Sequence, residues 1–264
     1  MKAKHIVWNG SQISYKIYCE GKPVVLLHGF GEDSSIWDAQ INFLKEKFRL
    51  IVPDLPGSGA SAMLPNKDVQ ISDYAACVKA IFDEEKLSAA ILIGHSMGGY
   101  ISLSFAEKYP GILSALGLFH SGAYADDAEK IATRKKAIEF IQKNGSRSFL
   151  QTSIPGLFYD AEKSKPEIDI LVGKANGFLP EALIQYYRAM IVRPDTTEVL
   201  RQFNEPVLFI AGEHDKAIPL AHSLQQCHLP VHAHIHILRH SAHMGMREEA
   251  LKSNEILAQF LHSI

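Results

Sequence analysis

The chain has 264 residues, 47% hydrophobic, 21% charged and 9% aromatic, with 18 Gly and 12 Pro, proportions that exclude a disordered, fibrous or collagen-like protein. With 27 Lys and Arg against 29 Asp and Glu, no positive excess exists to draw in nucleic acid or an anionic membrane surface. Cys19, Cys77 and Cys227 are scattered, with no C-x-x-C pair and no disulfide framework, which suits a reducing compartment.

Lys2 and Lys4 precede only a three-residue apolar run, Ile6 to Trp8, before Asn9-Gly10, so no signal-peptide core is expected. No stretch reaches the ~18 apolar residues that span a bilayer. The expectation is a cytoplasmic monomer or small homo-oligomer without membrane or nucleic-acid partners. His5 to Trp8 and Ile13 to Tyr18 alternate in polarity about Asn9-Gly10, a dipeptide that supplies the positive φ of a type I′ turn, and predict a β-hairpin. Six apolar runs follow: Val24 to Leu27, Leu50 to Val52, Ala90 to Ile93, Leu113 to Phe119, Val207 to Ile210 and the alternating Ala233 to Leu238. Continuous Val/Ile/Leu runs suit parallel strands buried on both faces.

Helix-period stretches at Ser35 to Lys47, Ser72 to Lys86, Met97 to Tyr109, Leu220 to Cys227 and Glu248 to Leu261 lie between or after these runs. Strand and helix therefore alternate from about residue 23, predicting an α/β fold: a doubly wound, mostly parallel eight-stranded sheet flanked by helices. The alternation stops from Gly122 to Leu200, where Asp126 to Lys143, Arg147 to Thr152, Lys165 to Ala175 and Pro180 to Met190 read as helices with no strand between them. Residues 122–200 are thus expected to form a helical cap, inserted after the sixth strand into a core of residues 1–121 and 201–264. It should cover the carboxyl ends of the strands, where open parallel sheets bind ligands.

Gly94-His95-Ser96-Met97-Gly98 joins the Ala90 to Ile93 run to the Met97 helix, a G-x-S-x-G in strand-to-helix context. A serine on a sharp turn at a sheet edge needs neighbours without side chains, which Gly94 and Gly98 supply, and the helix start favours developing negative charge. The bland alternative is a serine that caps the helix. With this segment the chain resembles the α/β-hydrolase superfamily, in its serine-nucleophile, esterase- and lipase-like branch with a helical cap. Val24 to Gly31 is similar to the family's strand followed by H-G-x-G, which implies oxyanion donors from the backbone N–H groups of Phe30 and Met97, with His28 itself structural. Val207 to Pro219 is similar to the family's strand followed by G-x-x-D-x-x-x-P, which implies Asp215 as the acid; Glu213, Asp126 and Asp127 are its rivals. His243, on a loop after the last strand, holds the place of the family's base, and His240 competes with it. Asp54 to Ser61 resembles the D-x-P-G-x-G-x-S hallmark and reads as a structural loop whose Asp54 caps backbone N–H groups, while His95 reads as buried support. His232, His234 and His236 share a strand face with no acidic or cysteine ligand beside them, and read as a polar strand face rather than a metal site.

The superfamily's dehalogenases and epoxide hydrolases place an aspartate where this chain has Ser96, so the resemblance implies acyl transfer to water instead. A serine hydroxyl is a weak nucleophile that needs a base oriented by a carboxylate, roles that fall to His243 and Asp215. No metal or organic cofactor is expected, and G-x-G-x-x-G and Walker loops are absent. The expected reaction is hydrolysis of a small to medium, partly apolar carboxylic ester. Alternatives are a C–C bond hydrolase, an enol-lactonase or a cofactor-free perhydrolase of the same fold, or a non-catalytic ligand receptor built on it. Phe158, Tyr187, Met190, Ile218 and Met244 are the expected pocket residues, and Arg188 or Arg193 facing the pocket would favour a carboxylate-bearing substrate.

Overall fold

A computed structural model describes residues 1–264. Its strands are β1 (Lys2–Trp8), β2 (Ser11–Tyr18), β3 (Pro23–Leu27), β4 (Arg49–Pro53), β5 (Ala90–His95), β6 (Leu113–Phe119), β7 (Val207–Gly212) and β8 (Ala233–Leu238). They form one sheet in the order β1-β2-β4-β3-β5-β6-β7-β8, antiparallel at β1/β2 and β2/β4 and parallel elsewhere. Asn9 and Gly10 have φ of +47° and +80°, as the hairpin turn requires. β5 and β7 are buried at every position, which is why they read as unbroken apolar runs. At the far edge, His232 precedes β8 and is exposed, while within the strand His234 and His236 are half-buried, His234 meeting Phe260 edge-on at 5.2 Å, and Ala233 and Ile235 are exposed, so the histidine side is the more covered one.

The core helices are α1 (Asp38–Leu44), α2 (Ile71–Glu84), α3 (Met97–Lys108), α8 (Leu220–Gln226), α9 (Gly245–Glu248) and α10 (Ala250–Ser263). α2 packs on α3, and α1 on α9 and α10. No helix is long and apolar enough to cross a membrane. Between β6 and β7 lie α4 (Ala128–Ser153), α5 (Lys165–Lys174), α6 (Pro180–Ile191) and α7 (Thr197–Gln202). Gly145, at φ +81° and ψ 167°, breaks α4 between residues 143 and 147, so the run is two helical segments joined at this glycine, as expected. The sequence reading missed α7. It starts within 122–200 yet packs on α3, with Leu200 fully buried, so the end of that segment lies against the core.

α6 docks on the loop after β4. Ser58 Oγ and the Tyr186 hydroxyl are 2.8 Å apart, and Tyr186 also donates to the Pro56 carbonyl at 2.7 Å. Asp54 shapes that loop by accepting the N–H groups of Ser34 at 2.9 Å and Ala60 at 3.0 Å. At the start of the insert, the Asp126 carboxylate is fully buried between Arg134 Nε at 2.5 Å and Arg193 Nη1 at 2.7 Å, and Arg193 lies 3.9 Å over the Tyr100 ring. Burial alone would raise the Asp126 pKa, but the two guanidinium groups hold it below the ordinary carboxylate range.

Two stability outcomes follow from these contacts. A methyl group on Gly94 would meet the backbone of Gly98 at 2.2 Å, and backbone cannot step aside as a flexible side chain can, so Gly94→Ala should lower the urea midpoint by the equivalent of about 3 kcal/mol or prevent folding. Asp126→Asn leaves two buried guanidinium groups without their counter-charge and should cost about 3 kcal/mol at pH 7. Because the native carboxyl has a depressed pKa, its contribution is present above the unfolded-chain value of about 4 and fades as pH falls through the native value. Urea titrations of the two proteins should therefore converge in acid.

Candidate active site

β5 ends by presenting His95 and then Ser96, whose backbone sits at φ +50° and ψ −115°. A non-glycine residue pays about 1–3 kcal/mol for such a conformation, so its surroundings must hold it there. They do so from three sides. The Ser96 N–H donates to the Phe119 carbonyl at 3.0 Å, and its carbonyl accepts the Gly99 N–H at 2.9 Å and the Ser121 hydroxyl at 2.7 Å. A Cβ at Gly98 would lie 2.7 Å from the carbonyl oxygens of Leu27 and His28, so the motif glycines are where α3 passes against β3 and β5. The Ser96 side chain does not cap α3, which removes helix capping as the reason for a serine here, and the residue is partly exposed.

Asp215 follows β7 on a tight loop. Its Oδ1 accepts the N–H groups of Ala217 at 2.8 Å and Ile218 at 2.9 Å, and its Oδ2 lies 2.8 Å from His243 Nδ1. Burial would raise the Asp215 pKa, but His243 and a second imidazole, His120, hold it far below the ordinary range. With His243 Nδ1–H donating to an ionised carboxylate, its Nε2 is left as the basic atom. The His243 N–H donates to the Leu157 carbonyl at 2.9 Å, so the insert fixes this loop directly. No hydrogen bond joins Ser96 Oγ to His243 Nε2 in this structure; such contacts are often long before substrate binds.

His120 was not anticipated. Fully buried, it has Nε2 3.2 Å from the Gly245 N–H and Nδ1 3.3 Å from Asp215 Oδ2. Nδ1 also receives the Gly212 N–H at 3.1 Å, so both ring nitrogens meet backbone donors, with the carboxylate lying beside Nδ1. Burial pushes its pKa down to about 4, so it is a neutral ring packed against Asp215. His120, Asp215 and His243 bring ligand-type atoms within 4.8 Å of one another, with His243 Nδ1 hydrogen-bonded to Asp215 Oδ2 and both His120 nitrogens facing backbone N–H groups. The available signal for His120 and Ser121 was position: both directly follow β6, beside the exit of β5.

The rivals lie elsewhere. Glu213 pairs with Arg239 at 3.3 Å, Asp127 caps α4 by accepting the Lys130 N–H at 2.7 Å, and Asp126 is locked between its arginines. His240 is exposed, and its backbone N–H donates to Glu249 at 2.8 Å. His28 is structural: its Nδ1 faces the Gly29 carbonyl at 2.8 Å, and its Nε2 accepts the Leu55 N–H at 2.9 Å.

The backbone N–H groups of Phe30 and Met97 donate to no carbonyl and are available to an oxyanion. The Phe30 ring stacks on Tyr187 at 4.2 Å and meets Phe149 edge-on at 6.1 Å, tying its loop to the insert. Ile218 borders a cleft of about 220 Å³ with Tyr100, Gly122, Tyr124 and Arg193. That cleft, rather than the wider one of about 640 Å³ between α4, α6 and residues 63–67, touches the segments that follow Ser96 and Asp215. Phe158 and Met244 are buried next in sequence to Leu157 and His243, and Met190 is buried on α6. Arg188 is exposed. Arg193 commits its guanidinium to Asp126 and to the carbonyls of Met190 at 3.1 Å and Tyr124 at 2.7 Å. Arg193 is thus committed within the fold, whereas Arg188 lies at the wider cleft between α4, α6 and residues 63–67.

A family model described as alpha/beta hydrolase fold matches residues 22–135. The dihydrolipoyllysine-residue acetyltransferase component of the acetoin cleaving system of Pseudomonas putida is 30% identical over 247 residues, covering 91% of this chain, which spans 64% of that protein's length. A 2-hydroxy-6-oxo-6-phenylhexa-2,4-dienoate hydrolase of Comamonas testosteroni is 26% identical over 261 residues, covering 94% of this chain and 91% of its own. Among solved structures, a thermophilic esterase from Thermogutta terrifontis superposes with a TM-score of 0.92 at 25% identity, over 100% of this chain and 99% of its own. Sheet order, the strained strand-to-helix turn at Ser96 and these likenesses agree that the chain belongs to the α/β-hydrolase superfamily.

Proposed function

We propose that this hydrolase-fold protein is a serine esterase that cleaves small to medium, partly apolar carboxylic esters through Ser96, His243 and Asp215. The observation that supports the reading is the 2.8 Å contact between His243 Nδ1 and a carboxylate that also accepts the N–H groups of Ala217 and Ile218, since donation from Nδ1–H to an anion leaves His243 Nε2 to take the proton of a serine nucleophile. Ser96 Oγ attacks the ester carbonyl as His243 Nε2 takes its proton. The tetrahedral oxygen gathers negative charge between the N–H groups of Phe30 and Met97. Collapse breaks the bond to the alcohol, which leaves with the proton from His243, and water then enters by the reverse sequence to release the acid and free Ser96.

Among the hydrolase relatives are an esterase and a hydrolase of a dienoate. The ester reading is favoured over a carboxylate-bearing substrate because Arg193, the arginine at the cleft that Ile218 borders, is already neutralised by Asp126, and Arg188 lies at the other cleft. The aromatic contacts of Phe30 with Tyr187 and Phe149 suit an apolar acyl group. Small-molecule ester and water are then the only reactants.

Ser96→Ala should remove release of p-nitrophenol from p-nitrophenyl butyrate while leaving the circular dichroism spectrum unchanged; turnover surviving in that variant would show that another residue is the nucleophile. Asp215→Asn should lower kcat by up to about 10⁴-fold, since the imidazole loses both its orientation and its counter-charge. A smaller loss than that of Glu213→Gln would move the acid to Glu213.

A further inference from the structure

His95, one residue before Ser96, is fully buried, and both of its ring nitrogens face acceptors. Nε2 is 3.0 Å from the His243 main-chain carbonyl, and Nδ1 is 2.9 Å from Glu32 Oε2. A carbonyl cannot donate, so Nε2 must carry a hydrogen. Glu32 Oε2 also accepts the Gly29 N–H at 2.7 Å, so that oxygen already serves as an acceptor and is best satisfied as an ionised carboxylate. A neutral imidazole has one donor and one acceptor and cannot donate from both nitrogens.

We infer that His95 is held as an imidazolium by Glu32, and that this buried ion pair is the positioning device that ties together the three segments carrying the reaction. Glu32 holds the Gly29 N–H, next to the proposed oxyanion donor Phe30; His95 belongs to the strand that delivers Ser96; and its Nε2–H holds the backbone carbonyl of His243. The inference rests on the roles proposed above for Ser96, His243 and Phe30, whereas the protonation state of His95 does not.

Electrostatics point the same way. Burial opposes the charged form of each partner. Even so, His95 and the Gly29 N–H keep the Glu32 pKa below its ordinary value, and Glu32, the His243 carbonyl and Asp215 keep that of His95 above its own. The other titratable groups near the pair are the His243 ring, 4.9 Å from the His95 ring between centroids, the His120 ring at 6.1 Å, and His28 beside Glu32. Trp37 and Phe119 close the remaining sides. A lone cation 4.9 Å from His243 would oppose its protonation during catalysis. Pairing with Glu32 leaves the unit neutral overall, so it can hold the His243 backbone without that penalty.

The test reads protonation and rate together. In ¹⁵N-histidine-labelled protein, with the His95 signals identified by their loss in His95→Gln, both ring nitrogens of His95 should carry hydrogen at pH 7. In Glu32→Gln one of them should lose it at that pH. On p-nitrophenyl butyrate, Glu32→Gln should lower kcat by about ten- to a hundredfold, the scale of a small misplacement of reacting groups, with KM changed less than about twofold, and Glu32→Asp should recover part of the loss. A single ring N–H on His95 in the unmodified protein at pH 7, or wild-type kcat in Glu32→Gln, would overturn the inference. If Glu32→Gln does not fold, the spectrum of the unmodified protein decides alone. Turnover surviving in Ser96→Ala would instead sink the proposed reaction and leave the His95 spectrum as it stands.

Discussion

The passage of α3 over the ends of β3 and β5 sets the position of everything that could react. Side chains at residues 94 and 98 would hold the helix away by more than the contacts allow, with a Cβ on Gly94 2.2 Å from the Gly98 backbone. Because the helix is that close, the chain between strand and helix must turn within one residue, and Ser96 takes the strain at φ +50°. Strain of this kind persists only where neighbours over-determine it. Here Phe119 at the end of the adjoining β6 and Ser121 just beyond it supply that restraint, which links the turn to the point where the insert departs.

A second constraint is the treatment of buried charge. Asp126, Asp215 and Glu32 are all carboxylates taken out of water, and each is matched differently. Asp126 is balanced by two permanent cations, which serves anchoring because guanidinium groups do not titrate. Asp215 is met by two imidazoles and two backbone N–H groups, a set in which His120 stays neutral. Glu32 is met by one imidazole and one N–H. The same cost of burying an anion is offset by a fixed charge where the structure only needs holding and by titratable partners close to Ser96.

Much of the fold was legible because its signals are local and repeated. Continuous apolar runs mark strands covered on both sides, Asn9-Gly10 marks the hairpin, and Gly94 to Gly98 and the loops bearing Asp215 and His243 carry distinctive spacing. What stayed illegible depends on how elements face one another. Tyr186 and Tyr187 are adjacent in the same helix, yet one hydroxyl serves the Pro56–Ser58 loop and the other ring stacks on Phe30; helical period could not assign them without knowing which side of α6 meets the core. Glu32 and His120 belong to no motif, and their roles arise only because sheet order brings their loops beside β5 and β7. For Arg193, a sequence shows a positive charge but not the Asp126 that consumes it.

The contact between the Leu157 carbonyl and the His243 N–H changes where the movable part of this molecule begins. Around it, Tyr159 stacks on His214 at 3.8 Å, and its N–H donates to Glu248 at 2.6 Å, while Glu248 also accepts the Ala242 N–H at 2.9 Å. Residues 157–159 are chain neighbours of the insert's helices, yet mechanically they form part of the frame of the histidine loop. An exchange of inserts between members of this superfamily, whether by evolution or at the bench, would carry the support of the His243 loop along with the insert's helices unless the graft spared this short stretch. Under the proposed reaction, selectivity and proton transfer would in that sense be inherited together, joined by three residues that bear none of the hallmarks of either.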